Sequence, residues 1–412
     1  MTIAIAIESL SLLMLIFVAL VLVKPLLSHS NNKKLILTFG SVIALHSIIS
    51  IGNGLFGPIY GADNDALRFH DAALTYFDAN STADLILPGW VYSIFLACIY
   101  EITQYSWAIG GMLSTVFFAG VLVACIQLFR EFNHNESNSR IDNNLTELKI
   151  IVLIGLIPTS IILTSITMRE VYQMFFICVA VLCTAKFIKS RRLLDFILMI
   201  VALFLFAGLH ASFKYYVGIY LLALFCFMMK KFIFSLKNIN KIFLLVVVVS
   251  GAVLFVDVNI LYVIISKFIE GTVGAEVSRA YYGLPPIAPD IFSIMSFMGI
   301  STFNYMTRPL PWEMTSYIDI FPFVENVFRI FFIWRIFQLR RYITASMAWV
   351  LFAALLLELL WGMGTLNWGT AQRHHLVAWP LFVVIYYAVV SRFNFLKSTN
   401  NLTHLPQYSA AV

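Results

Sequence analysis

The sequence predicts an all-α fold, a polytopic membrane bundle of about eleven transmembrane helices with additional helices at its outer face. Two observations predict this class. Of 412 residues, 61% are hydrophobic and 12% are charged, whereas an ordinary soluble domain carries about 25% charged residues. Apolar runs of roughly the 20 residues that a helix needs to cross a bilayer recur along the chain. The polar stretches between these runs leave no room for a separate soluble domain.

The apolar runs define the transmembrane helices in order. The first run, IAIESLSLLMLIFVALVLVK, has neither a basic start nor a small-residue cleavage site. We therefore expect a retained helix rather than a signal peptide. The predicted spans are 5–27, 35–56, 107–129, 149–166, 171–187, 194–210, 215–229, 242–266, 322–338, 344–363 and 374–391.

Basic residues orient these spans. Clusters of lysine and arginine favour the cytoplasmic ends of membrane helices, and this set of spans places every cluster on one side. The clusters are Lys33/Lys34, Lys186/Lys189/Arg191/Arg192, Lys230/Lys231/Lys237/Lys241, Arg340/Arg341 and Arg392/Lys397. The formal net charge of +6 therefore indicates topology and gives no reason to expect a nucleic-acid partner.

Residues 85–104 are apolar but are left out of the spans. Counting them as a crossing would move the first basic cluster to the outside. We interpret them as a helix at the outer interface that Pro88 opens and that Trp90 and Tyr92 anchor. The alternative is an ordinary span with a weak charge bias at the N-terminal end.

The predicted organisation has four parts. They are an extra N-terminal transmembrane helix (1–34), a module (35–190) with an acidic outer loop (57–106), a C-terminal membrane module (191–397) with an outer loop (267–321), and a cytoplasmic tail (398–412).

Several classes of function are disfavoured. The five cysteines lie in apolar segments without C-x-x-C spacing, which argues against a disulfide framework and against zinc. The sequence has no phosphate-binding loop, G-x-S-x-G elbow or H-E-x-x-H motif. ATP-driven transport and zinc proteolysis are therefore not expected.

The first outer loop contains the stretch GADNDALRFHDAAL. Asp63 and Asp65 lie two positions apart, and paired carboxylates are the ligands that Mg²⁺ or Mn²⁺ prefers. An amphipathic pattern follows Asp65 and predicts a helix that carries His70, a candidate for substrate binding. The alternative role for either aspartate is a helix N-cap.

A second acid follows a proline-bearing helix end. In LIPTSIILTSITMRE, Pro158 is expected to kink the helix, so that Arg169 and Glu170 emerge at the outer interface. Glu170 is then a candidate general base or metal ligand, and Arg169 a candidate phosphate contact. The alternative is an ion pair that fixes only the helix register.

The stretch RPLPWE in the outer loop 267–321 has two prolines that favour an extended backbone. Trp312 offers a flat face for a sugar and Glu313 flanks it, whereas Arg308 suits a diphosphate because its fork makes two parallel hydrogen bonds. The alternative is an interfacial loop whose aromatic residues belong to the membrane belt.

The stretch NWGTAQRHH begins the last helix. Arg373 is a candidate phosphate contact and His374 a candidate proton donor or hydrogen-bond partner. Adjacent histidines lie about 100° apart on a helix, so His374 and His375 are not expected to chelate one metal ion. The turn with His210, a candidate substrate contact, and Lys214, a candidate phosphate contact, falls on the same side of the membrane.

A single outward-facing site explains all these residues together, whereas each residue taken alone is better explained as a solvated loop residue. This organisation resembles the GT-C superfamily of polytopic glycosyltransferases. Asp63 and Asp65 match its first acidic motif, LPGWVYSIF resembles its interfacial helix, and LIPTSIILTSITMRE resembles the second motif with Glu170 as its acid. The resemblance covers about residues 35–190. The segments RPLPWE and NWGTAQRHH look like parts of bacterial envelope-glycan membrane proteins, some of them O-antigen polymerases of the Wzy type.

The resemblance implies an enzyme that transfers a sugar or oligosaccharide from a polyprenyl-(di)phosphate carrier to a glycan or lipid acceptor. Transfer would take place at the outer face of a bacterial inner membrane. Asp65 or Glu170 would be the base or a metal ligand, with Mg²⁺ or Mn²⁺ as the cofactor, and arginines would neutralise the leaving phosphate. Membrane lipids are the other expected partners, and no nucleic acid is expected.

Two other functions stay open. A Wzy-type polymerase would share the carrier but depend on arginines rather than on an acid and a metal, so EDTA would leave its activity unchanged. A secondary transporter or flippase would be expected to show inverted repeats and charges in the middle of its spans. Glu358 and Asp257 are the residues that fit this last pattern.

Overall fold

The computed structural model describes residues 2–22, 33–57, 64–76, 90–133, 140–233, 262, 266, 280–283 and 287–403. Every regular element in these ranges is helical, and one β-bridge between described residues pairs Tyr281 with Asn367. The all-α fold class is confirmed for this part of the chain. Five of its helices are long and apolar enough to cross a membrane, so the predicted count of eleven spans is not established.

The described helices are numbered in chain order. They are α1 (Thr2–Val21), α2 (Lys33–Phe56), α3 (Asn64–Thr75), α4 (Trp90–Thr103), α5 (Trp107–Asn133), α6 (Arg140–Gly155), α7 (Pro158–Leu163), α8 (Arg169–Ser190), α9 (Leu193–Gly208), α10 (Phe213–Ile233), α11 (Ile291–Thr307), α12 (Ile320–Gln338), α13 (Ala345–Gly364) and α14 (Trp368–Thr403). Short 3₁₀ turns lie at Pro311–Glu313, Tyr317–Asp319 and Arg340–Tyr342.

Most of the predicted spans overlap a helix that the structure describes. The five helices that meet the length and hydropathy of a crossing are α2, α5, α8, α13 and α14. Helices α1, α9 and α10 are apolar over shorter stretches. The predicted span 242–266 lies outside the described residues except for positions 262 and 266.

The predicted span 149–166 is two helices rather than one. Helix α6 ends at Gly155, and Pro158 begins α7 at the first helical position, where its missing N–H costs nothing. The Gly155 carbonyl, freed by the break, accepts a hydrogen bond of 2.9 Å from His46 Nε2 in α2. A buried histidine from a neighbouring helix thus supplies the hydrogen bond that this carbonyl lacks within its own helix.

The predicted loop 267–321 contains a helix that hydropathy did not single out. Helix α11 is 17 residues long, and the Asp290 side chain caps it by accepting a 2.8 Å hydrogen bond from the Ser293 amide. One face of α11 packs on α13. The expectation of a loop was therefore wrong over these residues, because a helix of this length is too short to give a clear membrane signal.

Helix α4 is the described part of the predicted interfacial segment 85–104. It has 14 residues, fewer than the ~20 that a crossing takes. Tyr92 is buried, with its ring 4.8 Å from that of Tyr172 and 5.0 Å from that of Phe69. Its predicted role as a surface anchor was therefore wrong, because α4 turns this face toward α3 and α8.

The centre of the bundle is α5, which packs against α1, α2, α8 and α14. Its window of crossing length is 94% buried. Close packing there depends on small residues, as is usual between membrane helices. A Cβ on Gly111 would lie 2.6 Å from the Ser165 carbonyl oxygen and 3.1 Å from Ser50 Cβ.

Replacing Gly111 by alanine is expected to lower the free energy of unfolding by about 1–3 kcal/mol, because the added methyl group overlaps a backbone oxygen. Gly52→Ala in α2 is the matched control, since nothing lies within 4 Å of the position of its Cβ. Thermal unfolding in detergent measures both. Equal melting temperatures for the two variants would contradict this packing.

Candidate active site

The site is built on the first turns of α14. Gln372, Arg373, His374 and His375 follow one another, and successive residues of a helix point about 100° apart. Each side chain therefore contacts a different part of the bundle. Arg373 faces α3 and α8, His374 faces α13, and the other two face α12 and the end of α11.

Arg373 links two carboxylates from distant parts of the chain. One terminal nitrogen donates to the Asp65 carboxylate, and Nη2 donates to Glu170 Oε1 at 2.7 Å. These partners are 308 and 203 positions from Arg373. The two predicted catalytic acids and Arg373 therefore lie together, and phosphate binding by Arg373 stays a prediction.

Arg169 lies against the same carboxylate from the first turn of α8. Its Nε is 3.9 Å from Glu170 Oε1, and its guanidinium lies 5.4 Å from the centroid of the Phe69 ring. The closer partner of Glu170 is thus Arg373 and not its sequence neighbour. Two arginines and two carboxylates form a group with no formal net charge.

Solvent reaches the members of this group unequally. The Asp65 side chain is 38% exposed, Arg373 20%, Arg169 15% and Glu170 1%. Burial alone would raise the pKa of Asp65, but the Arg373 guanidinium, with help from Arg169 and Arg68, lowers it. Asp65 is therefore an ionised and accessible carboxylate, whereas Glu170 is enclosed.

Two histidines near the two arginines, His210 and His374, both contact the Trp361 ring. The His374 ring stacks on Trp361 with centroids 3.5 Å apart, and His210 meets the same indole edge-on at 4.7 Å. Burial, followed by the charges of Arg169 and Arg373, lowers the pKa of His210 to about 3. His210 is thus neutral at physiological pH and acts as a hydrogen-bond partner.

The tautomer of His374 follows from its contacts. The Thr365 hydroxyl donates its hydrogen to the Trp361 carbonyl at 2.7 Å, so it can only accept from His374 Nδ1 at 2.9 Å. Nδ1 therefore carries a hydrogen. In the neutral ring, Nε2 is then free to accept a hydrogen bond or a proton.

His70 lies on α3 but inside an aromatic cluster. The Tyr100 hydroxyl is 2.5 Å from Nδ1, and the rings of Tyr105 and Trp107 lie 5.4 and 4.9 Å away. Burial lowers its pKa to about 4, so the ring is neutral. The buried face of α3 consists of Ala66, His70 and Ala73. Because the two alanines are small, α3 packs closely on α4.

The RPLPWE segment lies at the same end of the bundle. Arg308 pairs with Glu313, donates from Nε to Asn304 Oδ1 at 3.1 Å, and lies over the Tyr282 ring. The Tyr282 hydroxyl donates to the Thr365 carbonyl at 2.8 Å, which ties this segment to the start of α14. The backbone is extended at Arg308 and Leu310, as predicted, before the 3₁₀ turn at Pro311.

Trp312 and Lys214 are predicted contacts whose side chains are exposed. Trp312 is 79% exposed, and Lys214 is exposed at the start of α10. No hydrogen bond or ion pair joins Lys214 to the described residues of the site. Trp312 is placed to contact a large ligand or a membrane surface.

A divalent cation does not fit between the described carboxylates without rearrangement, because Arg373 already lies between Asp65 and Glu170. Within the described ranges no three His, Cys, Asp or Glu side chains form a group that could hold a metal ion. Asp63 lies outside these ranges. The predicted Mg²⁺ or Mn²⁺ site at Asp63, Asp65 and Glu170 stays a prediction.

Sequence reasoning missed Trp361 and Thr365, which hold His374. Trp361 lies in the last turn of α13 and Thr365 follows that helix directly, at the end that leads into the site. A tryptophan at a helix end is common in membrane proteins, so the pattern alone gave no reason to select it.

The chain was compared with family models, with curated proteins and with solved structures. None of the three comparisons finds a match.

Proposed function

We propose that this protein is a membrane glycosyltransferase that moves a sugar or oligosaccharide from a polyprenyl-(di)phosphate carrier to a glycan or lipid acceptor. The observation that carries the proposal is the bridge from Arg373 to Asp65 and Glu170. Ionisable groups from three separate helices meet there at one end of an apolar bundle. Such groups are costly in a membrane protein and usually mark a functional site.

The donor-phosphate side of the site is supported by unused hydrogen-bond donors. Arg373 Nε and Trp361 Nε1 are buried and meet no acceptor among the described residues. A guanidinium N–H and an indole N–H can only donate. Together with Arg169, these groups suit the oxygens of a phosphate that gains negative charge as the sugar leaves.

Asp65 is the proposed base. Its accessible carboxylate takes the proton of the acceptor hydroxyl while the hydroxyl oxygen bonds to the sugar carbon. The bond from that carbon to the phosphate oxygen breaks, and the electron pair leaves with the phosphate. His210 and His374 contact the sugar or the phosphate as neutral hydrogen-bond partners.

Glu170 is proposed to hold the arginines rather than to take the proton. Its side chain is 1% exposed and its Oε1 lies 2.7 Å from Arg373 Nη2. An enclosed carboxylate fixes the orientation of the guanidinium that meets the phosphate. Arg308 is the proposed second phosphate contact at the rim of the site.

The proposed orientation puts the site outside. Arg130 and Lys189 lie near the opposite ends of α5 and α8, where they pair with Glu147 and Glu131. Basic residues favour the cytoplasmic side. The end that carries Asp65 and Arg373 would then face the periplasm or the exterior of a bacterial inner membrane.

Asp65→Asn tests the proposal directly. In a strain that lacks the native gene, we expect the glycan product to fall at least about 100-fold, because the amide cannot take the proton. Lipid-linked and surface glycans are the measurement, at equal protein levels in the membrane. Asp71→Asn on the exposed face of the same helix is the matched control and should leave the product unchanged. Unchanged glycans in Asp65→Asn would contradict a base at this position.

A Wzy-type polymerase is the second candidate. The observation that favours it is the enclosure of Glu170, which leaves arginines as the main groups available to a phosphate. A polymerase would keep its activity in Asp65→Asn and in EDTA but lose it when Arg373 or Arg308 is replaced. The two candidates are thereby separated by one set of variants.

A further inference from the structure

A second polar network lies inside the bundle beside the site. It contains His375 and Glu358, with relative exposures of 0% and 3%, and Arg329, with 1%. All three positions lie inside predicted spans, and the proposed transfer does not use them. Burying polar and charged side chains is costly unless they are paired and hydrogen-bonded. The contacts of these residues therefore indicate what the network positions.

His375 makes a hydrogen bond to the backbone of α11. Its Nε2 lies 2.9 Å from the Tyr305 carbonyl, which can only accept, so Nε2 carries a hydrogen and donates it. Its Nδ1 lies 2.6 Å from Glu358 Oε2, so these two atoms share one further proton. Glu358 thereby fixes the orientation of the imidazole.

Asn326 makes a hydrogen bond to the backbone at Arg308, three residues after Tyr305. Its amide nitrogen donates to the Arg308 carbonyl at 2.7 Å, and its oxygen accepts from Arg329 and, at 3.1 Å, from Gln372. The last carbonyls of a helix have no partner within the helix. Side chains from α12 and α14 thus hold the chain at Tyr305 and at Arg308, the end of α11.

We propose that Glu358, His375 and Asn326 are positioning residues for Arg308. They fix the backbone from which the Arg308 guanidinium reaches the donor phosphate. The same turn of α14 carries Arg373 and His375. One helix therefore positions both proposed phosphate contacts, Arg373 directly and Arg308 through His375. This inference rests on the proposed role of Arg308 as a phosphate contact, and it does not depend on sugar transfer.

A double-mutant cycle with inorganic diphosphate tests the inference. Calorimetry on the full-length protein in nanodiscs should show binding about tenfold weaker in Arg308→Gln and about three- to tenfold weaker in Glu358→Leu. The double variant should bind diphosphate no more weakly than Arg308→Gln alone, because Arg308→Gln has already removed the guanidinium that Glu358 is proposed to position. Glu358→Gln should bind within about twofold of the native protein, since its amide can donate to neutral His375.

Glu147→Leu is the matched control. Glu147 and Glu358 both expose 4% of their side chains and both are paired, but Glu147 lies at the opposite end of the bundle. Its replacement should reduce stability and leave diphosphate binding unchanged. Asn326→Ser repeats the cycle through the other anchor without changing the number of buried charges, in case Glu358→Leu does not fold.

Additive effects of Glu358→Leu and Arg308→Gln would overturn the inference. So would equal weakening by Glu147→Leu, or unchanged binding in Arg308→Gln. Coupling between Arg308 and Glu358 in a protein that makes no glycan would leave the inference intact and would refute the transferase instead.

Discussion

Replacing Arg373 by leucine is expected to lower the free energy of unfolding by about 3–5 kcal/mol and to abolish the proposed transfer. The reason is Glu170, whose 1% exposed carboxylate would lose its 2.7 Å partner and remain buried as a charge. Arg169 at 3.9 Å is too distant to replace that hydrogen bond. Asp65 contributes little to the loss, because water reaches its side chain. Denaturation in detergent micelles gives the first quantity, and the glycan profile gives the second.

A second substitution separates stability from function. Arg373→Leu combined with Glu170→Leu removes both buried charges, and apolar replacements of a buried ion pair are often neutral for stability. We expect the double variant to recover most of the unfolding free energy and none of the product. Arg373→Lys keeps a charge, but a single ammonium lacks the planar fork that spans two carboxylates. Wild-type stability in Arg373→Leu would show that Glu170 has another partner.

The apolar segments of the fold follow from local sequence. The predicted spans 35–56, 107–129 and 344–363 differ by at most a few residues from the observed helices. Hydropathy works here because a membrane segment must satisfy its backbone within itself. A kink at Pro158 was also expected, because proline has no amide hydrogen to continue the helix, whereas the structure shows a break between two helices.

Long-range pairing could not be predicted from the sequence. Arg169 and Glu170 are adjacent, and neighbours on a helix do not face each other. The sequence offered Arg169 as the partner of Glu170, and it contains no periodicity that selects Arg373 from the other arginines. The convergence of Asp65, Glu170 and Arg373 at one end was expected from topology alone, and their contacts required the packing of α3, α8 and α14.

The burial of Tyr92 was missed for a related reason. An aromatic residue near the end of an apolar segment is equally compatible with the membrane surface and with a helix interface. Which of the two occurs depends on the neighbouring helix. Tyr92 meets Phe69 and Tyr172 because the small residues of α3 bring α3 and α4 together.

Arg329 is the second position at which we expect a large loss of stability. It is 1% exposed in the middle of α12, it donates to Asn326, and the charges of Glu358 and Glu325 act on it. Arg329→Leu would remove the buried positive charge that acts on Glu358 and Glu325 and the hydrogen bond to Asn326, so we expect a loss of about 3–5 kcal/mol in unfolding free energy. Thermal and chemical unfolding in detergent measure this loss.

Arg335→Leu is the matched control for Arg329→Leu. Arg335 lies on the same helix, but its guanidinium contacts the exposed amide of Gln338 at 2.6 Å. Surface substitutions of this kind usually change stability by less than about 0.5 kcal/mol. Equal losses in the two variants would mean that α12 itself, and not the buried charge, determines the effect. A large loss confined to Arg329→Leu, accompanied by weaker diphosphate binding, would connect the interior network to Arg308 through Asn326.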